Sequence, residues 1–306
     1  MLKKILTSKL LRAVFSVALI YFAFRKINVL HLLAELTLVP KWFVLAMILY
    51  SFLISITGGI RWSVLVLGKP KWRDVWNFTR ANYLGGFYAL FFPTAVAGDL
   101  LKWLPLMSRY KHLTKTKLAG SVLIDRVVGF SAFTLMGFIA LLLGFIYRYQ
   151  FPLVLLWLFG GLTIGVIVFY ILVFTVDFDK LIGRMPKLKK ILEIIDLLKN
   201  ENKQRILVCF GISLISEPIW LISTWFYSLI FHVGISLLQV YIFMPIISLI
   251  LVLPISVAGF GARENLFLLF FSQLGFADER ILLVSTFSGL MGVLVSLIGG
   301  LLTFIH

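Results

Sequence analysis

Six runs of this sequence are apolar enough, over sufficient length, to cross a bilayer unaided: 8–24, 41–60, 118–146, 152–175, 206–231 and 281–305. A helix needs about 20 mostly apolar residues to span the hydrocarbon. Backbone N–H and C=O groups in that medium must be bonded within the segment, so runs of this kind fold as helices. Composition agrees: 61% of the residues are hydrophobic and 14% charged, whereas soluble domains sit near about 45–50% apolar. The sequence therefore predicts an all-α integral membrane protein, with residues 1–306 forming a single polytopic domain. Its first run, in MLKKILTSKLLRAVFSVALIYFAF, is basic and then apolar like a signal peptide. It has no small-x-small cleavage site after the apolar stretch, so it is expected to stay as the first helix.

Two further apolar regions, 75–101 and 237–275, are interrupted near their middles. The interruptions read FFPTAVAGDLLKW (Phe91–Trp103) and LVLPISVAGFGAR (Leu251–Arg263). Aligned on Pro93 and Pro254, both contain Pro-x-x-Val-Ala-Gly, with Lys102 or Arg263 nine positions after the proline. Basic residues of a membrane protein collect in its cytoplasmic loops. With the N-terminus cytoplasmic and both broken regions entering and leaving on one side, 22 of the 29 Lys and Arg residues become cytoplasmic, Arg61 among them. If 75–101 crossed once, the basic cluster of 180–205 would move outside. The expected architecture is six transmembrane helices plus two re-entrant helical hairpins. Pseudo-repeats 1–147 and 148–306 are related by inversion, and both termini are cytoplasmic in the inner (cytoplasmic) membrane. Inverted repeats of this type place transporter sites near the midplane, on broken helices. Gly98 and Gly259, at the two turns, are then expected to approach each other. The connector 177–204 reads as an amphipathic helix on the inner leaflet, with Leu188, Ile191, Leu192 and Ile195 on one face.

A net charge of +16 could suggest nucleic acid, but the cations lie in short loops between apolar runs, so nucleic acid is not expected as a partner. Cys209 is the one cysteine, and the four histidines have no ligand spacing, so neither a disulfide nor a metal site is expected. No GxSxG, Walker A or GxGxxG pattern stands out; no catalytic residue and no cofactor are assigned.

Candidate binding residues are those that hydrocarbon tolerates poorly, since an ionisable group within a span costs at least about 2.5–3.5 kcal/mol. Glu217 lies near the centre of 206–231, beside Pro218, which cannot donate to the carbonyl of Leu214. It suits a cationic group or a coupling proton; the alternative is a structural pair with an interior Arg. Asp125 and Arg126 are adjacent and cannot face each other on a helix, so each is expected to pair with another segment. Arg126 suits a lipid phosphate, with snorkelling as the rival explanation. At the hairpins, Pro93, Gly98 and Asp99, and Pro254, Gly259 and Gly261, would turn the backbone so that the following half-helix presents N–H groups to an anionic head group. Lys102 and Arg263 would be companion cations, with Asp99 and Glu264 balancing them or meeting an amine. Small residues Ser288, Gly292, Ser296 and Gly300, and likewise Gly161 and Gly165, predict close-packing helix faces.

The motifs GGIRW (Gly58–Trp62), FFPTAVAGDLLKW, SVLIDRVVGF (Ser121–Phe130), SEPIW (Ser216–Trp220) and LPISVAGFGARE (Leu253–Glu264) together resemble the flippase-like membrane domain of lysylphosphatidylglycerol synthases. The last is similar to that family's Leu-Pro-x-Ser-x-x-Gly-x-Gly-x-Arg-Glu pattern. FFPTAVAGDLLKW departs from the family, with Thr94-Ala95-Val96-Ala97 where relatives are richer in glycine. In larger members a soluble aminoacyl-transfer domain makes the lipid and the membrane part is implicated in moving it between leaflets. The 306 residues hold no such soluble domain, so the resemblance implies translocation of a phospholipid or lipid-linked head group without the synthase. The expected partners are membrane lipids, anionic or aminoacylated, with self-association or a separate synthase left open. The alternative is a membrane-embedded transferase acting on an aminoacyl-phospholipid or a lipid-linked sugar; the sequence favours the transporter.

Overall fold

The computed structural model describes residues 21–22, 29–91, 98, 101–176, 203–253, 256 and 259–301, and these form helices joined by turns. The helices are α1 (Val29–Thr37), α2 (Lys41–Leu67), α3 (Trp72–Phe91), α4 (Leu104–Arg109), α5 (Lys115–Ile146), α6 (Val154–Thr175), α7 (Lys203–Ile230), α8 (Leu237–Leu251), α9 (Ala262–Phe271) and α10 (Asp278–Leu301). Five of them, α2, α5, α6, α7 and α10, are long and apolar enough to cross a membrane. They correspond to five of the six expected runs. The remaining run, 8–24, lies outside the described residues apart from Tyr21 and Phe22, and so does connector 177–204 up to Asn202.

Local chemistry sets several boundaries. The Thr114 hydroxyl accepts from the Lys117 N–H (3.2 Å) and opens α5. Ser236 and Gln239 open α8 with a reciprocal capping box, Gln239 N–H to Ser236 Oγ at 3.2 Å and Ser236 N–H to Gln239 Oε1 at 2.8 Å. α2 stops at Gly68, whose φ of 78° is the left-handed conformation that ends a helix without steric cost to glycine. Pro218 lies inside α7 and the helix continues through it.

The chain divides into two compact units, each drawn from both halves of the sequence. The first takes in the described residues up to Ile54, Tyr83–Leu101 and those from Ile219 onward. Its core includes an aromatic cluster in which Phe287 of α10 meets Phe43, Tyr227 and Phe231 at centroid distances of 6.1, 5.2 and 5.5 Å. The second unit consists of Ser55–Asn82 and Lys102–Pro218. Trp62, Phe78, Leu106, Leu118 and Val122 form one buried cluster there, and Leu65, Ile124, Val128, Val173 and Cys209 form another.

Helices flank both broken regions, α3 and α4 the first and α8 and α9 the second. In the first unit Gly98 returns to α3: a Cβ on it would stand 2.4 Å from both the Ala89 nitrogen and the Gly85 oxygen. A continuous helix would separate residues 89 and 98 by about 13 Å at 1.5 Å per residue. In the second unit the Tyr110 hydroxyl donates to Asp74 Oδ1 (2.7 Å) and Arg109 to Asn77 Oδ1 (2.6 Å), so the excursion that begins at Trp72 ends beside its own start. The other excursion closes in the first unit, where Phe243 of α8 meets Phe270 and Phe271 of α9, both at 5.6 Å. Gly98 and Gly259 fall in the same compact unit.

Small-residue faces divide. On α10, Gly299 and Gly300 accept the close approach of Tyr83 and Phe87 of α3, and Ser296 lies against Gly86. Gly161 and Gly165 pack against nothing within 4 Å, contrary to expectation; it is Gly160 that receives the Phe138 ring. α6 buries Leu155, Phe159, Thr163 and Val173 and leaves much of its remaining apolar surface exposed, with Trp157 79% and Ile164 63% exposed, a surface suited to lipid.

Candidate functional site

The second unit gathers an ionic cluster from four segments. Arg61 of α2 is its hub. Its Nε donates to Asp125 Oδ1 (2.7 Å) and its Nη2 to Asp125 Oδ2 (3.3 Å), a two-pronged contact with α5. Its Nη1 donates to Ser213 Oγ (3.0 Å) and to Glu217 Oε1 (3.3 Å), both on α7. Lys102, from the segment before α4, donates to Asp125 Oδ2 (3.4 Å) and sits over the Trp62 ring at 4.5 Å. Trp62 is fixed in turn by its own Nε1–H, which donates to Ser121 Oγ at 2.9 Å.

Sequence and packing make room for this hub. Gly129, one turn after Asp125, leaves a slot: a Cβ there would lie 3.2 Å from Arg61 Nη1. Gly59 lets α2 and α3 touch, since its Cβ would meet the Thr79 backbone nitrogen at 2.9 Å. The Cys209 thiol donates to the Arg61 carbonyl (3.3 Å) and Ser213 donates back to the Cys209 carbonyl (2.9 Å), tying α7 to α2.

Burial grades the cluster. The Asp125 side chain is 3% exposed and that of Lys102 5%, but that of Glu217 keeps 22%. Arg126 is exposed and within the electrostatic reach of both Glu217 and Arg61. Three cations therefore face two carboxylates, and the reachable edge carries one of each sign. Glu217 lies 14 residues into the 28-residue α7, about 20 Å from either end at 1.5 Å per residue.

Arg61 was expected on the cytoplasmic side just beyond the run 41–60; it stands within α2 and not in a loop, because the helix runs on through Trp62–Leu67. Asp125 does pair with other segments, and Glu217 has the interior Arg partner that the sequence offered as its structural alternative. The sequence missed Arg61 and Ser213. Their signal was apolar residues continuing past Arg61, and Ser213 one turn before Glu217.

The first unit holds the other candidates. Gly259 and Gly261 both adopt left-handed backbone, φ 81° and 78°, which only glycine takes without strain. The N-terminus of α9 is occupied by its own side chain: Glu264 Oε2 accepts the Gly261 N–H at 2.6 Å. The Arg263 guanidinium packs toward Phe260 (5.8 Å) and against Gly289, where a Cβ would lie 2.2 Å from Nη1. Gly98 is itself helical, and the described helix that follows it in sequence, α4, has six residues and begins at Leu104. Pro93, Asp99 and Pro254 lie outside the described residues.

Beside the start of α3 and the end of α4, Asp74, Asn77, Arg109 and Tyr110 form a polar lock, with Asn77 Nδ2 donating to the Tyr110 oxygen at 3.2 Å. Burial, reinforced by the neighbouring Asp74 carboxylate, pushes the Tyr110 phenol up to about 12, so its O–H stays in place at neutral pH. Among the described residues no group of His, Cys, Asp and Glu could hold a metal ion.

No curated protein and no solved structure matches the chain. One family model does, that of the lysylphosphatidylglycerol synthase TM region, over residues 9–301. Nearly the whole chain is covered by the match, including every residue of the ionic cluster, and the protein belongs to that family of multi-helix membrane domains.

Proposed function

We propose that the protein moves a phospholipid or lipid-linked head group between leaflets, using the ionic cluster of α2, α5 and α7 as a polar station within the apolar bundle. The observation that supports this most is the Arg61–Asp125–Glu217 network, set well inside helices long enough to span a membrane. Its inner part, Arg61 and Lys102 around Asp125, keeps one positive charge in excess, which Glu217 offsets through Arg61, and it holds the helices in register. Its outer part, Glu217 and Arg126, presents opposite charges to a visitor. Arg126 would take a phosphate oxygen, and Glu217 would take an amine or a hydroxyl. The two hairpins would enter from opposite faces as inverted repeats, their turns providing the break in hydrocarbon that a head group needs.

A transferase would require a base beside a nucleophile. Both oxygens of Asp125 already accept from Arg61 and Lys102, and Glu217 accepts from Arg61. The test is reconstitution in proteoliposomes with labelled anionic, zwitterionic and aminoacylated phospholipids. The transport reading expects label to change leaflet with the lipid's mass unaltered on extraction. A covalently altered lipid would favour the transferase, and an immobile panel would refute the transport reading.

A further inference from the structure

In the first unit, three buried polar atoms stand where α9 packs along α10, each without a hydrogen bond of its own: Glu264 Oε1, Ser285 Oγ and Thr286 Oγ1. The argument rests on Glu264. It is 1% exposed, and its two oxygens are treated differently. Oε2 caps α9 by accepting the Gly261 N–H at 2.6 Å, while Oε1 is sealed off beside Ser285, itself 0% exposed. A buried polar atom left without a partner is destabilising, and more so when it carries charge. A carboxylate can only accept, but a carboxylic acid also donates.

We propose that Glu264 is a proton-binding site: Oε1 takes a proton from water and donates it to Ser285 Oγ, and gives it back to water when the site opens. A Ser285 O–H turned toward Oε1 would also satisfy both atoms, but it would leave the negative charge sealed in; protonation satisfies both and removes that charge. The cap on Gly261 is unaffected, because Oε2 remains an acceptor. The charged neighbours have been accounted for element by element. On α9 itself Arg263 is the cation whose field reaches Glu264, and its guanidinium lies against Gly259 and Gly289. That cation disfavours a metal ion at the same spot. On α8 the titratable side chain is Tyr241, and the charges of α10 are confined to Asp278, Glu279 and Arg280 in its first turn. Glu279 is paired with His31, Arg280 with Glu35, and Asp278 accepts from Ser272.

The proposal rests on the transport reading only for what the proton would drive; its occupancy is a separate fact. The experiment is infrared difference spectroscopy of the full chain in lipid nanodiscs at neutral pH, wild type against Glu264→Gln. Glutamine keeps an acceptor for Gly261 and supplies a donor for Ser285, so the fold should be retained. The expected result is loss of one protonated-carboxyl stretching band. Loss of an ionised-carboxylate band instead would overturn the proposal, in favour of a carboxylate bridged by a buried water. Should Glu264→Gln fail to fold, Ser285→Ala keeps the carboxyl and removes its acceptor. A protonated Glu264 then shifts its band to higher frequency, whereas an unchanged protonated-carboxyl region overturns the proposal. In proteoliposomes, Glu264→Gln should still move lipid while losing any response to a pH gradient. Absence of lipid movement by wild type would sink the transport reading and leave the proton site standing.

Discussion

Arg61 is the residue on which the ionic cluster turns. Removing one partner of a buried ion pair costs about 3–5 kcal/mol, because the other charge is left uncompensated. Arg61→Met should therefore lower the unfolding temperature in detergent sharply. Adding Asp125→Leu to it should recover part of the loss, and a double-mutant cycle measures the coupling. Arg61→Lys should not substitute, since a point ammonium cannot reach Asp125 by two prongs and Glu217 as well. Tyr110 offers a pH test with a definite sign. Its phenol titrates higher folded than unfolded, so the stabilisation is complete below about pH 10 and is lost as pH rises toward about 12. Thermal unfolding of wild type and Tyr110→Phe across that range should converge at the alkaline end. Asp125 and Glu217 were legible in the sequence because a carboxylate in an apolar run has few explanations. Arg61 was not, because it stands at the edge of such a run and only tertiary pairing shows it to be inside.

Among the elements, the two broken regions separate what pattern can and cannot convey. Proline and glycine at matched positions announced two breaks, and α3 with α4, and α8 with α9, flank them. The sequence could not show that Glu264 would fold back onto Gly261, since a capping carboxylate and a ligand-binding one look alike until the backbone is placed. Nor could it distinguish glycines that pack from glycines that face outward. Gly98→Ala puts a methyl 2.4 Å from backbone atoms of α3 that cannot swing away, and should cost at least about 1–3 kcal/mol. Gly161→Ala meets open space on α6 and should be neutral or stabilising by up to about 1 kcal/mol. Unfolding temperatures of the two variants check the contrast.

At the level of the whole molecule, five spanning helices were readable from length and apolarity alone, while sidedness rests on the distribution of cations. The proposed re-entrant arrangement makes a topological prediction. In a Cys209→Ser background, single cysteines at Lys71 and Lys111 should react with an impermeant thiol reagent from one face of the membrane. Cysteines at Val233 and Ala277 should react from the other. Labelling of 71 and 111 from opposite faces would show that 75–101 crosses instead of returning. The most direct measurement of function is the rate at which inner-leaflet labelled phospholipid becomes accessible to an outside quencher in proteoliposomes, compared for wild type, Glu217→Gln and Gly161→Ala. Glu217 is the reachable carboxylate of the cluster, and a lost hydrogen bond to a charged group is worth about 1.5–3 kcal/mol. Wild type and Gly161→Ala should quench beyond the outer leaflet at equal rates, with Glu217→Gln slower by roughly tenfold or more. Quenching that stops at the outer leaflet for wild type, or a Glu217→Gln rate equal to wild type, would contradict a role for this cluster in carrying lipid across.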